Sequence, residues 1–184
     1  DEVLLLAGHT DTHLAVRGKD AVRDAVRRCF ASAYAPEVLQ LRHEHGLDPF
    51  GTRMGIVVQR MLEADLSGSC ASLDVVGGDV RGPEVLIEAT FGLGGGMSNA
   101  SRLPLDLVRV PRPLLASDPL DDDVDVVIDV VDKGARLQFD KASGVGTTLV
   151  DNEARQVQEP ALSTGQARQV AKEVLRLEVE LGRP

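Results

Sequence analysis

Tryptophan is missing from this chain, and aromatic residues of all kinds make up only 3% of it: one tyrosine and four phenylalanines. A core must therefore be built from leucine, valine, isoleucine and alanine, and no aromatic platform for stacking bases is visible. Cysteine is almost as scarce. Cys29 and Cys70 are the only two, which excludes a disulfide framework and fits a reducing cytoplasm. Basic residues are outnumbered, 20 against 29 acidic ones, for a formal charge of −9. An acidic chain with no basic stripe argues against nucleic acid as a partner. It leaves phosphorylated small molecules open, because local amides and one or two cations hold those. No apolar run approaches the roughly 18 residues that a membrane span needs. The opening Asp1-Glu2-Val3-Leu4-Leu5-Leu6 has no basic n-region and is too short for a signal peptide. The first residue is not methionine, so the chain is expected to start inside a longer product.

What is present is the balance of a globular chain: 184 residues, 43% hydrophobic and 27% charged. Ala7 to His13 is small and polar and reads as a loop, with Leu14-Ala15-Val16 a short extended continuation. Apolar Ala21, Val22, Ala25, Val26, Cys29 and Phe30 recur at helical intervals, which predicts a helix over 19–33. Pro36 suits the first position of a second helix, continued by Glu37 to His45 and stopped at Gly46. The period then changes. Gly55 to Leu62 is β-branched and predicts a largely buried strand. Further strands are predicted over 67–73, 85–90, 105–110, 124–131, 136–139 and 147–150, with a turn at Gly77-Gly78-Asp79. Ser163 is a candidate cap for a helix over 164–181, whose apolar face is Ala167, Val170, Ala171, Val174, Leu175, Leu177 and Leu181. Gly182 is placed just past its end. Strands in the middle and helices near both ends imply an α+β fold in one domain.

Four groupings bear on chemistry. Gly92-Leu93-Gly94-Gly95-Gly96 follows a strand, and the missing Cβ atoms would let backbone amides approach a phosphate. No Gly-Lys-Ser/Thr follows it, and Met97 stands where a dinucleotide fingerprint needs its third glycine, so a turn between two strands explains the run equally well. His9 and His13 are four apart and His43 and His45 two apart, but the first pair sits in a loop, so neither pair makes a zinc motif. The stretch from Asp118 to Asp132 holds seven aspartates without the spacing of a calcium loop, and reads as solvated. Cys29 lies on an apolar helix face, and Cys70 has no activating base in view. No metal site and no catalytic residue is assigned.

Taken in order, several segments resemble one family. Ala7-Gly8-His9-Thr10-Asp11-Thr12-His13-Leu14 resembles the Ala-Gly-Gln-x-Asp/Glu-Thr-Tyr-Leu loop of phosphoenolpyruvate synthases and rifampicin phosphotransferases, and Val22 to Phe30 the helix after it. Val57-Val58-Gln59-Arg60-Met61 is similar to their Val-Gln-Lys/Arg-Met strand, with Ser67-Gly68 as the Ser-Gly beyond it. Ile87-Glu88-Ala89-Thr90-Phe91-Gly92-Leu93-Gly94 is similar to an acid-Ala-Ser-Tyr-Gly-Leu-Gly segment, and Leu162 to Pro184 resembles a helix ending in Gly-Arg-Pro. The resemblance is to the nucleotide-binding domain these enzymes share with pyruvate, phosphate dikinase, which has an ATP-grasp fold.

The resemblance implies a partial ATP-grasp domain over 1–184, truncated at both ends, with ATP sandwiched between two α+β subdomains. Gln59, Arg60 and Met61 would lie at a hinge that reads the adenine edge, with Met61 on the ring. Gly8, His9, Thr10, Asp11 and Thr12 would cover the β- and γ-phosphates, Thr10 and Thr12 supplying hydroxyls. Glu88, Gly92 and Gly94 would line the ribose-phosphate side. Such enzymes use Mg-ATP to phosphorylate a histidine on a separate domain, which passes the phosphoryl group to pyruvate, rifampicin or another acceptor, so that phosphohistidine domain and Mg2+ are implied partners. Catalysis there is mainly positioning and charge neutralisation. His9 stands in place of the family glutamine, His13 of its tyrosine or phenylalanine, and Gly95 of its glutamate. The family's N-terminal lysine and Arg-Ser-Ser segment, and its Asp-x-Glu-Trp and Gln-x-Arg segments, would lie outside this sequence. The chain alone is therefore not expected to transfer phosphate. The alternative is a degenerate nucleotide-binding or regulatory module without catalysis.

Overall fold

A computed structural model describes residues 8–51, 53–73, 83–94, 103–113 and 119–182. The chain divides into two compact units, one of residues 1–63 and 139–148, the other of residues 64–138 and 149–184. Helices and antiparallel sheet occur together, so the fold is α+β.

The first unit opens on a loop from Gly8 and then forms α1, Lys19–Ser32, and α2, Pro36–Glu44. Helix α1 turns Val22, Ala25, Val26, Cys29, Ser32 and the following Ala33 inward, a stripe at i, i+3 and i+4 spacing. Phe30, expected on that face, is instead about half exposed. Pro36 is the first residue of α2, where its missing N–H has no partner to lose. Arg42 of α2 is buried, and its Nε and Nη2 donate to the Asp48 carbonyl at 2.9 and 2.6 Å. That fixes the turn after the helix.

Two further expectations fail in this unit. Leu14-Ala15-Val16 is not simply extended, because Ala15 takes a left-handed conformation with φ 53. Residues 53–63 form no strand. Val57 and Leu62 are 86% and 74% exposed, so this is not a buried strand either. β-Branched residues favour an extended backbone, but a strand also needs a neighbour to satisfy its N–H and C=O groups. The sequence pattern encodes the first condition and says nothing of the second.

The second unit is built on a four-stranded antiparallel sheet in the order β1-β2-β3-β4: β1 Leu66–Ala71, β2 Glu84–Phe91, β3 Asp106–Pro111 and β4 Val127–Asp129. Register is set by apolar alternation. Val85 opposes Val110 and Ile87 opposes Val108, all four fully or almost fully buried. A two-stranded sheet pairs β5, Ala135–Phe139, with β6, Thr147–Asp151. Two helices follow, α3 Ala154–Gln158 and α4 Thr164–Leu181. The predicted turn at 77–79 lies outside the described residues.

Ala167, Ala171 and Leu175 of α4 pack with Val85, Ile87, Val108 and Val110 to form the core. Alanines at i and i+4 let the helix approach the sheet closely. Leu177 and Leu181, expected on the same face, are exposed. Leu177 lies about 200° around the helix from Leu175, off the packed stripe. Ser163 caps α4 as anticipated, in a reciprocal box with Gln166, and Gly182 ends it in the left-handed conformation. Helix α3, not anticipated, begins with the same kind of box between Glu153 and Gln156.

Strand β4 is shorter than the predicted 124–131. The chain leaves the ladder after Asp129, and the Val131 N–H is taken by the Asp106 carboxylate at 3.0 Å. Asp106 and Lys133 are both fully buried and bonded at 2.6 Å. Asp106 Oδ2 also accepts from the Ala161 N–H at 2.7 Å, just before α4. Lys133 Nζ donates a second bond to the Val131 carbonyl at 3.0 Å and stands 5.8 Å from the Phe91 ring centre. No helix among the described residues is long and apolar enough to cross a membrane.

Candidate functional site

The sequence-assigned residues fall into two groups, one in each unit. Gly8 to Thr12 and Gln59 to Met61 belong to the first, and Glu88, Gly92 and Gly94 to the second.

In the first unit the loop is exposed at its tip and anchored at its base. Gly8, His9, Asp11 and Thr12 are exposed, and Thr10 is half-buried. Gly8 has φ 80, a conformation that side chains disfavour. The Asp11 N–H donates to Ser32 Oγ at 2.9 Å, and Ser32 Oγ in turn donates to the Cys29 carbonyl at 2.8 Å. Cys29 Sγ donates to the Asp11 carbonyl at 3.4 Å. The end of α1 therefore holds both backbone groups of Asp11. His13 Nε2 lies 3.9 Å from Asp11 Oδ2.

Beyond the loop, the structure joins it to the second sequence-assigned cluster. The Ala15 N–H donates to Met61 Sδ at 3.2 Å. The Ala15 carbonyl accepts from the Gly146 N–H at 3.2 Å, in the turn after β5. Met61 is half-buried, whereas Gln59 and Arg60 are exposed. An Ala-to-Met contact across 46 residues, with a backbone donor and a thioether acceptor, leaves no mark in either local sequence.

In the second unit Glu88 is exposed on β2, directly opposite Ser69 on β1. Ser69 Oγ donates to its carboxylate at 2.8 Å. A serine facing a glutamate across two strands was the only signal available, and it required the register. Gly92 has φ 81, and a Cβ there would lie 2.3 Å from the Leu137 carbonyl oxygen. Its N–H donates to the Asp65 carbonyl at 2.8 Å, and the Leu93 N–H to the Leu137 carbonyl at 2.7 Å. Glycine at 92 is thus imposed by a close parallel bridge to Leu137, and the amides of 92 and 93 are spent inside the fold. Gly94 is exposed. Gly95, Gly96 and Met97 lie outside the described residues.

The remaining candidates are structural. Asp122 of the acidic run is ion-paired with Lys172 of α4, and that hydrogen bond holds its carboxyl below the ordinary range. Partial desolvation pushes the Cys70 thiol up, which opposes a nucleophilic role. Among the described residues, no three His, Cys, Asp or Glu side chains converge to hold a metal ion. The described residues thus provide no cage for Mg2+.

The family model described as pyruvate phosphate dikinase, AMP/ATP-binding domain, matches residues 4–184. The chain belongs to this family. Among curated proteins it is 28% identical over 181 residues to a probable phosphoenolpyruvate synthase of Methanocaldococcus jannaschii, covering 97% of this chain and 14% of the relative. It is 30% identical over 178 residues to a rifampicin phosphotransferase of Streptomyces sviceus, covering 97% of this chain and 19% of the relative. It is 29% identical over 182 residues to a phosphoenolpyruvate synthase of Escherichia coli K12, again covering 97% of this chain and 22% of the relative. The chain therefore spans less than a quarter of the length of these relatives.

Proposed function

We propose that this pyruvate phosphate dikinase-type domain binds ATP within a phosphoenolpyruvate synthase-like phosphotransferase. In this reading the domain has an ATP-grasp fold. The longer protein uses Mg-ATP to phosphorylate a histidine on a separate domain, and that phosphohistidine then serves an acceptor such as pyruvate or rifampicin. The observation that carries the proposal is the contact between Ala15 and Met61 inside one unit. It links the loop that would cover the phosphates to the side chain that would pack on adenine.

Each residue has a physical task. Met61 offers a polarizable, half-buried surface to a flat purine ring. Gln59 and Arg60 are exposed beside it, and their backbone groups read the adenine edge. Gly8 to Thr12 is exposed apart from half-buried Thr10 and mostly small, so its backbone approaches the polyphosphate closely, while Thr10 and Thr12 donate hydroxyls. The hydrogen bond from Ser69 fixes the Glu88 carboxylate, which accepts from ribose hydroxyls. With the amides of Gly92 and Leu93 engaged elsewhere, the turn serves the ribose-phosphate side through its shape at the exposed Gly94. Magnesium bound with ATP would supply charge neutralisation, held by groups other than the described residues. This chain supplies binding and orientation, not the reacting groups. Two free cysteines support a reducing, cytoplasmic setting.

The test is calorimetric titration of Mg-ATP into the full-length protein carrying this chain. Met61→Ala, which removes the side chain that packs on adenine, and Gly8→Val should each weaken binding, Gly8→Val because valine does not adopt φ 80. Unchanged affinity in both variants would count against the proposal. The second reading, a nucleotide-binding or regulatory module without catalysis, is favoured by His9 and Gly95 standing where the family pattern has glutamine and glutamate. Under it the variants still weaken binding, but no phosphoryl group reaches a histidine.

A further inference from the structure

Ala15 is a buried residue other than glycine with positive φ, at 53. The left-handed region brings Cβ against the following carbonyl oxygen, so a residue persists there only when its surroundings hold it. The surroundings are visible. Its N–H is held by Met61 Sδ at 3.2 Å, and its C=O by the Gly146 N–H at 3.2 Å. A thioether is a weak acceptor, and an amide aimed at one is unusual enough to need a reason.

We propose that Ala15 is a positioning residue that clamps Met61 to the Gly8–His13 loop, so that the adenine-packing side chain and the phosphate-covering loop are set in one arrangement before nucleotide arrives. This rests on the nucleotide-binding reading above. The left-handed backbone at 15 is what turns its N–H toward Met61 while its C=O meets the turn at Gly146. The base of the same loop is already held by Ser32 and Cys29 at Asp11. The loop is therefore fastened at two points, and only the second involves a nucleotide-contacting side chain. Preorganisation of this kind raises affinity by reducing the ordering needed on binding.

The test uses the full-length protein, titrated calorimetrically with a non-hydrolysable ATP analogue and Mg2+. Ala15→Val forbids the left-handed conformation and should weaken binding about fivefold or more, the range expected for coupled neighbours. Ala15→Gly keeps the N–H and permits the same φ, and should bind within about twofold of the parent protein. Met61→Leu keeps apolar bulk but removes the sulfur acceptor, and should weaken binding about threefold. Ala15→Val and Met61→Leu together should bind no more weakly than Ala15→Val alone, since both break one contact. A purely structural defect would not produce that non-additivity.

A folded Ala15→Val that binds like the parent overturns the inference, as do effects that multiply in the double variant. If Ala15→Val does not fold, Met61→Leu decides: unchanged affinity overturns the clamp. Gly8→Val separates the two levels of the argument. If it weakens binding while Ala15→Val and Met61→Leu do not, the clamp alone is wrong. If none of the three alters affinity, the nucleotide-binding reading falls as well.

Discussion

Removing the Asp106 carboxylate is the sharpest perturbation of this fold. The carboxylate is fully buried and accepts from Lys133 Nζ at 2.6 Å, Val131 N at 3.0 Å and Ala161 N at 2.7 Å. Asp106→Ala deletes all three bonds and leaves an ammonium group with no accessible surface beside it. Breaking a buried pair from one side typically costs about 3–5 kcal/mol, because the surviving charge is stranded. Lys133 keeps one bond to the Val131 carbonyl and its place over Phe91, which favours the lower end, about 3 kcal/mol. Hydrogen exchange read by mass spectrometry on the full-length protein reports this locally. Amides of β3 and α4 that open together should exchange faster by about two orders of magnitude, one for each 1.4 kcal/mol. The paired variant Asp106→Leu with Lys133→Met removes both charges and should recover much of the loss. Exchange in Asp106→Ala within about threefold of the parent would refute the reasoning, and so would a paired variant worse than the single one.

Three further outcomes follow from particular contacts. Gly92→Ala places a methyl against the Leu137 carbonyl at a positive φ and should destabilise the second unit by about 2–4 kcal/mol, read as faster exchange in β2 and β5. Ser163→Ala removes the cap of α4 and should cost about 1 kcal/mol by the same measurement at the helix start. Arg112, which also donates to the Ser72 carbonyl, binds Glu178 of α4 at 2.8 and 3.0 Å, and these two bonds to the carboxylate, with a smaller contribution from the Ser72 side chain, hold the Glu178 carboxyl below its ordinary value of 4.5. A depressed folded value means that the stabilisation is present above about pH 4.5 and is lost as pH falls through the folded value. Glu178→Gln should therefore flatten the acid limb of a pH–stability curve, and an unchanged limb would exclude this pair as a contributor.

Local rules made much of the fold legible. Helices α1 and α4 follow from apolar periodicity and α2 from its bounds, Pro36 and Gly46, with Ser163 marking the start of α4, because a helix closes its hydrogen bonds within itself. Strands β2 and β3 follow from alternation set by one buried face. What stayed hidden depends on partners distant in sequence. Residues 55–62 have the composition of a strand without the ladder that makes one. Val131 leaves β4 because Asp106 attracts its N–H from 25 residues away. The candidate site divides in the same way. Gly8 to Thr12, Gln59 to Met61 and Glu88 stand out as motifs, but Ala15, Ser69 and Ser32 do not, since nothing in their own segments shows what they touch. In the sequence Gly92 stands out for an amide offered to a phosphate, whereas its neighbours show that its small size admits Leu137.

One measurement tests the central claim most directly: hydrogen exchange of the full-length protein with and without Mg2+ and a non-hydrolysable ATP analogue, compared with adenosine alone. Residues 8–13 and 57–62 should both become protected with the triphosphate, whereas adenosine should protect 57–62 and leave 8–13 exchanging as in the free protein. Saturating triphosphate that changes neither segment would contradict the account.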